Sequence, residues 1–251
     1  MGPAPGTIQQ TISLLEEALL GLDVRMPLIA LEDIGIMIHE AMTVHARSFH
    51  TPAHIFELAD ASNPVQALAA LFHDVVYYQV DEGFTPEIAA VLMPYIEIAG
   101  EEIRLKSLDD ADSTAYRITL AVFDFEPGQI LPPQQGQNEF LSALLMNEQL
   151  VERVAASDLA KATACIEATI PFRGYSARGE SPADLLEKRL NALNRRLDLG
   201  MKKAEIYAAV RWASATIRWY SPGGGSPRYS LKIVSGSSCL RNLSIFSKAR
   251  R

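Results

Sequence analysis

The stretch from residue 63 to about 79 constrains this chain more than any other. It opens with Asn63-Pro64, a cap followed by proline in the first helical turn. It is then apolar nearly all round, through Val65, Ala67, Leu68, Ala69, Ala70, Leu71, Phe72, Val75 and Val76. A helix without a polar face belongs at the centre of a fold, covered by its neighbours. Inside this run stand His73 and Asp74. A carboxylate buried there without a partner costs several kcal/mol, so a cation or a set of donors must face it.

The surrounding chain has helical periodicity. Residues 7–22 place Ile8, Ile12, Leu15 and Leu19 on one face, and 31–47 do the same with Ile34, Met37 and Val44. Thr51-Pro52 and Thr85-Pro86 repeat the start signal, predicting helices over 51–61 and 85–100. Further helices are expected over 113–125, over 138–169 as one or two pieces, over 182–199 and over 202–220. Residues 126–136 hold three prolines and two glycines and read as a loop. No segment alternates as a strand would. The expectation is therefore all-α: a single helical domain over 1–220, then a flexible, basic, serine-rich tail over 221–251. A chain of this size buries enough surface to fold without staples.

The charge of −7 argues against nucleic acid as a partner, since phosphate backbones want a basic face. Cys165 and Cys239 are far apart, so neither a disulfide framework nor a thiolate zinc site is expected. No apolar run is long enough to span a bilayer and no signal-peptide pattern opens the chain, which points to the cytoplasm.

All five histidines, His39, His45, His50, His54 and His73, fall within 35 residues. Such a concentration of imidazoles suggests metal binding or proton transfer. His50 and His54 are four apart but separated by Pro52, so His50 precedes the helix that carries His54. His39 and His45 read more readily as ordinary core or surface histidines.

The segment RSFHTPAHIFELADASNPVQALAALFHDVVYY resembles the HD-domain superfamily of metal-dependent phosphohydrolases, in particular its bacterial branch. Phe49-His50, His54 and Phe72-His73-Asp74 carry the resemblance, with His50 standing 23 positions before His73 and Arg47 three before His50. The resemblance implies an HD-domain-like helical bundle. It also implies a divalent-metal quartet of His50, His73, Asp74 and one later aspartate. Asp158, in VAASDLAKAT, is the first choice for that aspartate and Asp124, in AVFDFEP, the second.

The implied ion is Mn, Fe, Co, Ni, Zn or Mg, since mixed nitrogen and oxygen ligands suit them all. The implied reaction is hydrolysis of a small phosphoester or nucleotide by a metal-activated water. His54 then serves as a base, a proton donor or a ligand to a second ion. Arg47 and Lys161 are candidate phosphate-facing cations, with Arg173 a further one; Lys161 lies one helical turn from Asp158. Val75, Val76, Tyr77 and Tyr78 stand where superfamily members that hydrolyse guanosine tetraphosphate carry paired acidic residues, so that substrate is not expected. Two other classes fit the same helices: a di-iron oxygenase-type enzyme, and a non-catalytic HD-like ligand-binding module. Oligomeric state has no signature in the chain.

Overall fold

Local rules start most of the helices. In the computed structural model, which describes residues 6–43, 52–60, 62–171 and 173–217, Asn63 caps α4 (Pro64–Phe72) by accepting from the Gln66 amide at 3.2 Å. Ser113 does the same for α7 (Thr114–Phe123), and Thr85 for α6 (Pro86–Leu92). Ser181 and Asp184 form a reciprocal capping box on α10 (Pro182–Arg196). The remaining helices are α1 (Thr7–Gly21), α2 (Leu28–Met42), α3 (Pro52–Leu58), α5 (Tyr78–Asp81), α8 (Gln137–Leu150), α9 (Ala156–Glu167) and α11 (Lys203–Ile217). Among the described residues no helix is long and apolar enough to cross a membrane. The expected tail, 221–251, lies outside the described residues.

The helices share one hydrophobic core. At its centre are α4, whose Ala67 to Phe72 are all fully buried, and α9, which packs on α4, α7, α8, α10 and α11. A buried polar cluster sets the register of three of these helices. Asn147 of α8 donates to Thr119 of α7 and to Thr163 of α9, both at 2.9 Å, and each threonine donates to a carbonyl of its own helix. Leaving one of these groups unpaired in the core costs about 1–3 kcal/mol, so sliding of one helix past another is opposed.

Two expectations are corrected. Residues 63–79 do not form one helix: α4 ends at Phe72, His73 is its cap residue, and α5 starts only at Tyr78. The backbone turns away because α8 offers better partners. Ser142 accepts from the Val76 amide at 3.0 Å, and Asn138 accepts from the Tyr78 amide at 3.2 Å.

Likewise the helix expected over 85–100 stops at Leu92, and a hairpin follows. Strand β1 (Ile96–Ala99) pairs antiparallel with β2 (Glu102–Leu105), with Ile96 opposite Leu105 and Ile98 opposite Ile103. Gly100 takes the left-handed conformation (φ 64°) that the tight turn demands. Ile96, Ile103 and Leu105 are buried, and this apolar anchoring outweighs the helical leaning of the alanine and glutamates.

At the crossing of α1 and α2, Gly35 leaves room for Ile12. A Cβ on Gly35 would stand 2.4 Å from Ile12 Cγ1 and 3.4 Å from its Cα. Gly35→Val is expected to lower unfolding free energy by about 1–3 kcal/mol, read as a drop in the denaturant midpoint at unchanged m. An unchanged midpoint would mean that the two helices do not approach so closely.

Candidate metal centre

The site is built where α4 ends. His73 is 4% exposed, and its Nδ1 lies 2.9 Å from the Ala70 carbonyl one turn earlier. A carbonyl only accepts, so Nδ1 carries a proton. That leaves Nε2 as the free ring nitrogen, and it faces Asp74 Oδ2 at 2.8 Å. In a neutral imidazole this would set a nitrogen lone pair against a carboxylate oxygen. Either a second proton or a metal ion must lie between them, and the Nδ1 bond to a carbonyl is the orientation that metal-ligating histidines use.

His54, on α3, completes the group. Its Nε2 is 4.0 Å from Asp74 Oδ2, and its ring centroid is 5.4 Å from that of His73. Among the described residues, one set of three or more His, Cys, Asp or Glu side chains brings its ligand atoms within 4.8 Å of one another, and it is His54, His73 and Asp74. Two imidazoles and one carboxylate are a donor set that suits a divalent first-row ion. His54 and Asp74 are each about one-fifth exposed, so the group is open to solvent on one side.

The electrostatics agree with a site that wants a cation. Burial alone would lower the pKa of His73. The Asp74 charge, its hydrogen bond, the Ala70 carbonyl and the charge of Glu139 together outweigh burial and raise it. Glu139, in the first turn of α8, is half-buried. Burial pushes its carboxyl pKa up and the Asp74 charge adds to the effect, while His73 and Arg173 oppose it.

A second polar group adjoins the first. Glu167, at the end of α9, is 1% exposed. It accepts from Arg173, which bonds both carboxylate oxygens and also the Glu167 carbonyl at 3.0 Å, and from Arg189 of α10. Arg173 therefore links the two groups, paired to Glu167 while its charge acts on Glu139.

The other sequence candidates lie as follows. His50, Arg47 and His45 fall outside the described residues. Asp158, on the first turn of α9, is not a member of the His54–His73–Asp74 group. Its carboxylate is 2.7 Å from Lys161 Nζ, and Lys161 also approaches Glu205 of α11 at 3.9 Å. Asp124 ends α7 in a left-handed conformation. His39 meets the Thr7 hydroxyl at 2.9 Å and ties α1 to α2. Tyr78 packs on Phe84, with centroids 4.8 Å apart.

Glu139, Glu167 and Arg189 were not singled out from the sequence, although each leaves a trace there. Glu167 interrupts the apolar run of CIEATI, and Arg189 falls in the stripe formed by Leu186, Leu190 and Leu193. A charge on the apolar face of a helix is the signal of a buried ion pair.

Comparison with family models, with curated proteins and with solved structures found no match.

The raised pKa of His73 sets a pH dependence. In the metal-free protein the imidazolium contributes stability below its unfolded pKa of about 6.5. That contribution is lost as pH rises through the higher folded value. A metal must displace the same proton, so affinity should rise with pH across this window. Titration of Mn2+ or Zn2+ near pH 6.5, in two buffers of different ionisation enthalpy, is expected to show proton release. Uptake without proton release, and with no pH dependence, would place the ion elsewhere.

Proposed function

We propose that this protein is a divalent-metal-dependent phosphohydrolase acting on a small phosphoester. One observation carries the reading: His73 Nε2 and Asp74 Oδ2 stand 2.8 Å apart with the other ring nitrogen already bonded to Ala70, and His54 stands beside them. The resemblance of the segment around these residues to the HD-domain superfamily supports the same reaction.

In this reading His54, His73 and Asp74 hold the ion. A divalent ion held there would supply a water of lowered pKa and polarisation of a phosphoryl oxygen. The Ala70 carbonyl keeps the His73 ring turned so that Nε2 faces the ion. Glu139, whose carboxyl pKa is raised by burial, is the candidate to pass a proton to a leaving oxygen. α8 positions both sides of the centre, because the helix that carries Glu139 also holds the Val76 and Tyr78 amides beyond Asp74. A second reading is a di-iron oxygenase-type enzyme, with His54 as the ligand to spare for a second ion.

Phosphate release from a panel of phosphomonoesters and nucleotides, with Mn2+, Co2+, Mg2+ or Fe2+ supplied to the full chain, separates these readings. Hydrolysis is expected with at least one ion and should vanish in His73→Ala. Glu139→Gln should keep the ion and lose about 100-fold or more in kcat. Asp158→Asn, which removes only its pairing with Lys161, should keep both ion and activity; loss of the ion from this variant would put Asp158 back among the ligands. Oxygen consumption by the iron form, with no phosphate released from any ester, would replace the hydrolase by the oxygenase.

A further inference from the structure

Arg173 and Arg189 stand out from the other charged residues by sharing one carboxylate. Both guanidiniums bond Oε1 of Glu167, which is almost wholly buried. Two positive charges on one negative charge leave a surplus of one at a partly exposed pair, open to an anion from solution. Their hydrogen-bonding capacity is also unspent. The Nε–H groups of both arginines are buried with no acceptor. Arg189 reaches Glu167 through Nη2, and among the described residues its Nη1 has no acceptor. The pair is not sealed off: the Arg173 side chain is 27% exposed and that of Arg189 19%.

The pair sits beside the open end of a helix. Gly136 caps α8 without a side-chain bond, and its backbone (φ 98°) lies so close to Ile170 that a Cβ would come within 2.5 Å of Ile170 Cδ1. The turn that carries Ile170 and Arg173 is therefore pressed against the N-terminus of α8, whose dipole and free amides favour an anion. At the same end Gln137 is fully buried, and neither its amide nitrogen nor its amide oxygen has a partner. Such an orphaned amide costs free energy unless something binds it. The charge of Arg173 acts on Glu139, whose carboxyl also feels the charges of Asp74 and His73.

We propose that Arg173 and Arg189, clamped side by side on Glu167 at the N-terminal end of α8, form the subsite that binds a phosphoryl group of the substrate. This rests on the hydrolase reading for its role in turnover but not for its geometry. Two forked donors suit a dianionic phosphate, which offers several oxygens, better than a planar carboxylate. The substrate class that follows is a monoester, whose terminal phosphate offers the two forks three free oxygens where a diester offers two.

The test measures phosphate binding and metal content separately on the full chain. Calorimetric titration of inorganic phosphate into the Mn2+-loaded protein is compared with acetate. Phosphate is expected to bind in preference to acetate. Arg189→Gln should weaken it by about 10- to 100-fold, with metal content unchanged. Arg189→Lys should fall between, since it keeps the charge and loses the fork. If Arg189→Gln does not fold, the paired Glu167→Gln/Arg189→Gln variant removes one charge of each sign and should show the same loss. Equal phosphate affinity in wild type and Arg189→Gln, or no phosphate binding by the loaded wild type, overturns the subsite. Phosphate binding that Arg189→Gln abolishes, in a chain that retains no metal, upholds the subsite and removes the metal-dependent hydrolase.

Discussion

A ring nitrogen and a carboxylate oxygen held 2.8 Å apart, with the opposite ring nitrogen already bonded to a carbonyl, need a positive charge between them. This requirement of His73 and Asp74 organises much of the structure. The helix before the pair is fully buried from Ala67 to Phe72, and the ring itself is 4% exposed. The backbone after it leaves the helix, because Ser142 and Asn138 of α8 hold the next amides. The short helix α3 brings a second imidazole to the open side. Holding the His73 imidazole and its partners here carries a cost in stability that a hydrophobic replacement would avoid.

Compensation of buried charge runs outward from that pair. Glu139 shares the field of His73 and Asp74 and feels Arg173 on its other side. Arg173 and Arg189 converge on Glu167, whose burial would be prohibitive without them. The result is two polar groups within a helical bundle, one of imidazoles and a carboxylate, the other of two guanidiniums on Glu167. The Asn147–Thr119–Thr163 cluster is a neutral counterpart. It uses satisfied hydrogen bonds to fix how α7, α8 and α9 are stacked, and α8 and α9 carry Glu139 and Glu167.

The helical class and most helix starts were legible in the sequence, because capping and proline rules act within a few residues. His73 and Asp74 were legible too, since a charged pair in an apolar run has few explanations. The end of α4 was not: what stops the helix is Ser142, 66 positions away from Val76, and periodicity carries no record of such a partner. The β1–β2 hairpin was missed because its Ile-x-Ile and Ile-x-Leu alternation is only four residues long on each side. Asp158, the first choice for the later aspartate, pairs with Lys161, while Glu139 and Glu167 stand in helical runs with no motif to mark them. Arg189 was passed over because an amphipathic helix was expected to keep its arginines on the solvent side.

Metal content of the full chain purified without chelator, compared with that of Asp74→Ala, tests the central claim most directly. The account predicts about one transition-metal ion per chain, or tight stoichiometric uptake on soaking, and its loss in a variant that keeps its helical content. If neither protein takes up metal while His73 and Asp74 still pair, a proton alone fills the gap between them and the centre is structural.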